Sequence, residues 1–123
     1  MIQAMEASVP GEGPDDEGGP FPDTLTLVIV RENDEILCLA RGPMDSANAP
    51  MLGRRLRELA GETPSRLVID MEHVEFLGSA VITALLAARA AAAARGKRVQ
   101  LQNLPPQVRS ILEVTGLIKA LGA

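Results

Sequence analysis

One junction constrains this chain more than any other feature: an apolar run that ends at Asp70 and, shortly afterwards, the start of a long helix at Ser79. The run Leu67–Ile69 is typical of a short buried strand. From Ser79 the sequence is rich in Ala and Leu until Gly96, which predicts a helix followed by a terminating glycine. A serine at a helix start can cap free backbone N–H groups. It can also carry a phosphate there, because those N–H groups and the helix dipole favour negative charge.

The composition limits the kinds of site that the chain can build. At 123 residues it holds one domain and, at most, a tail. Its single cysteine, Cys38, and single histidine, His73, exclude an internal disulfide and a metal cluster made of several Cys or His residues. The sequence also lacks a convincing catalytic constellation and a glycine-rich phosphate loop. We therefore expect a protein that is not an enzyme and that has no catalytic residues, metal or cofactor.

Charge and hydropathy favour a soluble protein. The net charge is −4 and the chain has two Phe, no Trp and no Tyr, so it offers neither a strongly basic surface nor aromatic platforms for nucleic acid. No apolar run approaches the roughly 20 residues that a membrane span needs. The beginning lacks the basic and then apolar segments of a secretory signal. We expect a cytoplasmic protein that binds neither nucleic acid nor membrane.

The charge is divided unevenly along the chain. Residues 1–23 contain six acidic residues and no Lys or Arg, so they carry −6, and the remaining residues carry +2. The first segment is also rich in Pro and Gly and poor in large apolar residues, a composition that cannot bury enough surface to offset its ordering entropy. We predict a disordered acidic tail over residues 1–23 and a folded domain over residues 24–123.

Strands and helices alternate after the tail. The predicted elements are strands at Thr24–Val30 and Glu35–Ala40, a helix from about Ala47 to Leu59, a strand from Leu67 to Asp70 or Met71, a helix from Ser79 to about Arg95, a strand at Val99–Asn103, and a helix that opens at Pro105-Pro106 and ends near Gly116. Arg41-Gly42-Pro43 is predicted to end the second strand, and His73 to lie in a polar loop. The first two strands are separated by a hairpin-length connection and should be antiparallel, whereas the last strand–helix–strand unit should be parallel. The fold class is α/β, a small mixed β-sheet with helices packed on it in the order β-β-α-β-α-β-α.

Three stretches of the chain together resemble the STAS domains of bacterial anti-sigma-factor antagonists. They are ARGPMDSANAPMLGRRLREL, where Gly42 and Asp45 match the family's loop before its first helix; LVIDMEHVEFLGSAVITALL, which carries the family's regulatory hydroxyl; and LQNLPPQVRSILEVTGLIKAL, which matches the family's closing segment. The resemblance covers about residues 24–121. The family's switch motif usually reads Asp-Ser-Ser/Thr-Gly, and here the corresponding residues are Gly78, Ser79, Ala80 and Val81.

The resemblance implies a regulatory binding module. An antagonist of this family binds an anti-sigma factor, which is often also a serine protein kinase, and is switched off when that kinase phosphorylates it. Carried over to this chain, the phosphorylated residue is Ser79, and the partner-binding residues are Asp45, Gly78, Ser79 and Ala80. No small-molecule ligand is expected. The alternative within the same fold is a scaffold or transport-accessory STAS domain that is never phosphorylated, which the departures at Gly78 and Val81 favour.

Each candidate residue also has a structural interpretation. Ser79 can be a helix cap, worth about 1 kcal/mol, and Asp45 a turn residue before a helix. Cys38 is of the kind that packs as a small buried apolar residue. The arginines at 54, 55 and 57 form either the solvated side of a helix or a basic patch that faces a partner.

Overall fold

A mixed sheet of five strands lies at the centre of the structure, a computed structural model that describes residues 3–7 and 24–121. The strands are β1 (Gln3–Ala7), β2 (Thr26–Arg31), β3 (Glu35–Met44), β4 (Arg66–Leu77) and β5 (Arg98–Gln102), and the helices are α1 (Ala49–Glu62), α2 (Ser79–Ala93) and α3 (Pro106–Val114). The strands follow one another across the sheet in chain order. The pairs β1–β2 and β2–β3 are antiparallel, and β3–β4 and β4–β5 are parallel. From β2 onwards this arrangement confirms the predicted fold class.

The first strand was not predicted. Residues Gln3–Ala7 pair with β2 at the edge of the sheet, whereas the sequence analysis assigned them to a disordered tail. Their composition gives no strand signal. Pairing with an existing sheet edge can nevertheless order a segment whose own β propensity is weak. The acidic remainder of that tail lies outside the described residues, and for it the prediction of disorder stays a prediction.

Alternating side chains divide the sheet into a buried face and a partly open face. On the buried face, Ile29 of β2, Cys38 of β3 and Ile69 of β4 lie opposite one another in the strand register, and all three are fully buried. On the other face, Val28 is opposite Leu39, and both are exposed. The two-residue period of the strands therefore places one row of apolar side chains under the helices.

Strand β3 extends further than predicted, to Met44. The sequence analysis ended it at Arg41-Gly42-Pro43, because glycine and proline usually interrupt strands. Here Gly42 has a φ of +116°, and a β-carbon on it would lie 2.8 Å from the carbonyl oxygen of Thr24. Glycine thus allows the strand to continue past a close backbone contact, and only the turn at residues 45–48 separates β3 from α1.

Strand β4 is also longer than predicted, and its second half explains the error. The register with β3 shifts between Asp70 and His73 and again between Val74 and Phe76, so β4 has an additional residue at each point. Such β-bulges change which side of the strand the following residues face. The burial along Met71–Leu77 consequently repeats every third residue, a pattern that resembled an acidic loop. His73 is therefore an exposed strand residue opposite Arg41, and not a loop residue.

Helices α1 and α2 lie side by side, each linking two parallel strands. A β-carbon on Gly53 of α1 would lie 3.4 Å from the β-carbon of Ala84 in α2, so small residues permit the close approach. Both helices start after the carboxyl ends of their strands, at Met44 and Leu77. The fold therefore brings the two helix starts to one edge of the sheet. Within the described ranges, no helix combines the length and hydrophobicity that crossing a membrane requires.

Candidate functional site

Gly78 makes the connection between β4 and α2. It is the N-cap residue of the helix, in an extended conformation with φ −91° and ψ 165°. Its N–H donates a hydrogen bond to the carbonyl oxygen of Met44 (2.9 Å), and its own carbonyl oxygen accepts from the N–H groups of Val81 and Ile82, at 3.1 Å each. This places Ser79 as the first helical residue, next to the end of β3.

The side chain of Ser79 is exposed and does not cap the helix. The helix start has no side-chain capping hydrogen bond, because the cap position belongs to Gly78, which has no side chain. The proposed capping role of Ser79 is therefore wrong, although its predicted place at the helix start is right. Within the described ranges no acceptor is recorded for the N–H groups of Ser79 and Ala80, as is usual for the first turn of a helix. The serine hydroxyl is thus available to a partner.

Asp45 shapes the neighbouring turn before α1. Its Oδ1 accepts hydrogen bonds from the backbone N–H of Asn48 (3.1 Å) and from Asn48 Nδ2 (2.9 Å). The same amide nitrogen donates to the carbonyl oxygen of Pro43 at 3.0 Å. These bonds fix a turn that an aspartate side chain commonly forms. They support the structural interpretation of Asp45, and its predicted contact with a partner stays a prediction.

The structure brings all four predicted partner-binding residues together. A β-carbon on Gly78 would lie 3.8 Å from the Cα of Asp45, and Ser79 and Ala80 follow as exposed residues of the first helical turn. We call this group, with Phe76, the tip of α2. The tip therefore combines one end of two strands, one turn and one helix start.

Phe76 is a member of the tip that the sequence analysis did not assign. Its side chain is 51% exposed, and it pairs with Pro43 across β3 and β4. A β-carbon on Gly78 would lie 3.3 Å from Phe76 Cε2, so the ring lies beside the glycine. The sequence held one signal for this role: Phe76 is one of two phenylalanines in the chain, and it stands two residues before the helix cap. An exposed aromatic ring of this kind is typical of protein-binding surfaces.

The segments that form the tip have no basic residues. Neither residues 42–53 nor residues 74–88 include a Lys or Arg. Two acidic residues, Asp45 and Glu75, do lie in these segments. Within these two segments, a negative charge added at Ser79 would have the backbone N–H groups of the helix start and no basic side chain to pair with.

Val81, which stands where the family motif has glycine, is fully buried. It packs in the hydrophobic core with the other buried residues of α2. The position is helical, so glycine is not required for its backbone conformation. The departure from the motif thus anchors the first turn of α2 and leaves Ser79 exposed.

The remaining candidate residues have structural surroundings. Cys38 is fully buried, and burial raises the pKa of its thiol to about 12. Arg54 and Arg57 are exposed on α1, and Arg55 forms an ion pair with Glu58 at 3.1 Å. The alternative role of these arginines as a partner-facing patch stays a prediction.

A buried carboxylate, that of Asp70, lies on β4 and has a structural role. It is 8% exposed, and it accepts hydrogen bonds from the N–H of Glu72 (2.9 Å), from Gln102 Nε2 (3.0 Å) and from Asn103 Nδ2 (2.7 Å). Asn103 has a φ of +56°. The carboxylate thus fixes the end of β5 and the first bulge of β4.

Comparison with known proteins gives one family and several relatives. The family described as "Mlab, STAS domain" matches residues 30–122. The anti-sigma-F factor antagonist RsfB of Mycobacterium tuberculosis is 33% identical over 66 residues, which are 54% of this chain and 54% of RsfB. The matched segment therefore spans about half the length of that relative.

Solved structures extend the likeness to most of the fold. An anti-sigma factor antagonist from Mycobacterium paratuberculosis superposes with a TM-score of 0.69 at 28% identity, over 81% of this chain and 85% of that one. The unphosphorylated form of the anti-sigma factor antagonist SpoIIAA gives a TM-score of 0.67 at 16% identity, over 76% and 83% of the two chains. At the second level of identity the likeness concerns the fold alone.

Proposed function

This chain belongs to the STAS domain family, and from that premise we propose that it is an anti-sigma-factor antagonist. In this function it binds an anti-sigma factor through the tip and so frees a sigma factor in the cytoplasm. The anti-sigma factor is also a serine protein kinase, which ends the interaction by phosphorylating Ser79. The relatives described as anti-sigma factor antagonists support the activity. The observation that carries the switch is the exposed Ser79 hydroxyl, which makes no cap and lies in a tip without Lys or Arg.

A phosphate on Ser79 would be compatible with the fold. It would add about −1.5 to −2 charges, next to the N–H groups of Ser79 and Ala80, which lack recorded acceptors. A negative charge at a helix N-terminus is stabilised by about 0.3–1 kcal/mol. The exposed side chain needs no repacking of the core. The modified domain should therefore stay folded.

The same phosphate would oppose association. In an interface it would lose its water, and the segments that form the tip provide no basic side chain to pair with it. Burying an unpaired charge costs several kcal/mol, and each 1.4 kcal/mol changes affinity about tenfold. A single modification can thus abolish binding while the domain remains intact.

The other tip residues define the surface that the partner contacts. Asp45 holds the turn through Asn48, and Phe76 presents an exposed ring beside Gly78. With glycine at the cap, the ring lies beside the position where the family has an aspartate side chain. The partner surface that fits this tip is apolar opposite Phe76, and it meets the carboxylate of Asp45 through a donor group. The activity is binding, and no residue of the tip is assigned a catalytic role.

The test compares two serines at opposite ends of β4. Ser79→Asp should weaken binding to the anti-sigma factor of the same organism at least about tenfold, whereas Ser79→Ala should bind as the unmodified protein does. The matched control is Ser65→Asp, because Ser65 is exposed and precedes β4 at its other end. Calorimetric affinities that are equal for Ser79→Asp and Ser65→Asp would reject the tip as the interface.

A second candidate function is a STAS scaffold or transport-accessory domain that is not phosphorylated. Gly78 and Val81, in place of the motif's aspartate and glycine, favour it. Incubation with the kinase and labelled ATP separates the two functions. Label on Ser79 that is lost in Ser79→Ala supports the antagonist, and absence of label with an active kinase supports the scaffold.

A further inference from the structure

A concave cleft lies at the opposite end of α2 from the tip. It has a volume of about 380 Å³ and is formed by the last turns of α2, by β5 and by the turn after α3. Its lining residues are Arg89, Ala93, Lys97, Arg98, Val99, Gln100, Lys119 and Ala120. A cleft of this volume is large enough for a small ligand.

The lining is strongly basic and has no acidic member. Four of its eight residues are Arg or Lys, and none is Asp or Glu. The ion pairs recorded for the described ranges use other arginines, at positions 31, 55, 66 and 109. Four like charges around one concavity repel one another unless an anion lies between them. The cleft therefore has a charge that its own side chains leave uncompensated.

The end of a helix explains only part of this cluster. The carboxyl end of a helix favours cations, and Lys97, whose N–H donates to the carbonyl oxygen of Ala92 at 2.8 Å, lies there. Arg98 belongs to β5, however, and Lys119 to the turn after α3. The convergence of three elements on one cleft is thus not an effect of the helix dipole.

Two hydrogen bonds hold the walls of the cleft in place. The N–H of Leu101 donates to the carbonyl oxygen of Leu121 at 3.1 Å, which fastens the turn carrying Lys119 to β5. Arg66 Nη1 donates to Gln100 Oε1 at 3.0 Å. The side chain of Gln100 alternates with the core residues Val99 and Leu101, so it lies with Arg66 on the face of the sheet away from α2, and only its backbone borders the cleft.

We propose that this cleft binds a small polyanion whose recognition group is a diphosphate. Two adjacent phosphates match several cations contributed by three elements. The lining has no aromatic residue, so charge and not base stacking provides the recognition. This reverses the expectation from sequence that the chain has no small-molecule ligand. The proposal is independent of the antagonist function, because the cleft and the tip lie at opposite ends of a helix about 20 Å long.

The test is a titration of the ¹⁵N-labelled full chain with pyrophosphate, followed by the backbone amide shifts. The expected result is saturable shifts in residues 97–100 and 119–120. The double variant Arg89→Gln/Lys119→Gln should bind about tenfold more weakly. The matched control Arg54→Gln/Arg57→Gln removes the same charge from exposed positions of α1, and its affinity should stay within about twofold of the unmodified chain.

Three results would overturn the proposal: absence of saturable shifts at the cleft, shifts confined to residues 78–80, or equal weakening in both double variants. Shifts at residues 78–80 would report anion binding at the helix start. Adenosine diphosphate is a second probe. Its affinity should be within about threefold of that of pyrophosphate if the cleft recognises charge alone. Binding of adenosine diphosphate that is much tighter than binding of pyrophosphate would contradict recognition of the diphosphate alone. None of these outcomes depends on whether Ser79 controls a partner.

Discussion

The two ends of α2 differ in charge although one helix carries both. The tip combines Ser79 and Ala80 with the exposed ring of Phe76, in segments without Lys or Arg. The cleft at the other end is lined by four basic residues and no acidic one. At the tip, whose segments already carry Asp45 and Glu75, the proposed phosphate would add further negative charge and so switch the surface. At the cleft, the charge is permanent, and only occupancy by a ligand can change it.

The position of each end in the fold accounts for the difference. The tip lies after the carboxyl ends of parallel strands, where backbone N–H groups of a helix start are free and a negative charge is favoured. The cleft lies where α2 ends and β5 begins; the helix end favours Lys97, and β5 and the last turn add Arg98 and Lys119. The same helix therefore carries the proposed modification site at one end and the basic cleft at the other.

The largest expected effect comes from truncating a buried side chain of α2 between the tip and the cleft. Leu85 is fully buried on α2 in the hydrophobic core. Leu85→Ala should lower the free energy of unfolding by about 2–5 kcal/mol, because it leaves a cavity under the helix. The measurement is urea unfolding followed by circular dichroism. Ala90→Ser, on the exposed side of α2, is the control and should change stability by less than about 0.5 kcal/mol. A loss as small as that for Leu85→Ala would show that the helix is not held by this core.

The next largest effect is a pH dependence of the free energy of unfolding, which comes from Cys38 in β3. Burial raises the pKa of the Cys38 thiol from 9.0 to about 12. Between these values the unfolded chain loses a proton that the folded chain keeps, so the free energy of unfolding should fall by about 1.4 kcal/mol per pH unit as pH rises. The stability that the protonated thiol contributes is fully present below pH 9.

Urea unfolding between pH 8 and pH 11 checks this dependence. Cys38→Ala is the control, because it retains the lysine titrations and lacks the thiol. Equal slopes for the two proteins would contradict the buried position of Cys38. The same thiol should resist Ellman's reagent in the folded chain, and equal protection in Ser79→Asp would show that a change at the tip leaves the sheet intact.

The smallest effect concerns the cap of α2. Gly78→Asp introduces the carboxylate of the family motif and should stabilise the helix start by a few tenths of a kcal/mol. Its β-carbon would meet Phe76 Cε2 at 3.3 Å, and the exposed ring can move away. Gly78→Ala is the matched control, since it adds the same β-carbon without an acceptor.

Differential scanning calorimetry compares the two variants. A Tm for Gly78→Asp about 4 °C above that of Gly78→Ala is expected, because alanine at the N-cap lacks an acceptor worth about 1 kcal/mol. Equal values would mean that the N–H groups at the helix start gain nothing from a side-chain acceptor. The comparison of the two ends would then lose its electrostatic basis.

The sequence predicted the elements whose periodicity is regular. The β2–β3 hairpin, the helix start at Ser79 and the parallel β4–β5 pair all follow from apolar spacing and from short connections. Asp45 and Ser79 were also predicted to share one surface, by resemblance to a family, and the structure brings them together.

The remaining features depend on contacts between distant residues. Two bulges in β4 break the two-residue period, so His73 and Phe76 were not recognised as strand residues. The N-cap residue is Gly78, in an extended conformation, and not Ser79. Ser79 therefore lies one position further into the helix than a capping serine would. The basic cleft unites residues from 89 to 120, and no local pattern shows that α2, β5 and the last turn meet there.

The most direct test is to place phosphoserine at position 79 and to measure, on the same sample, the Tm of the domain and its affinity for the anti-sigma factor. The account predicts a Tm equal to or slightly above that of the unmodified chain, because the phosphate lies at a helix start. It predicts an affinity at least about tenfold lower. Undiminished affinity, or a phosphorylated domain that no longer folds, would contradict it.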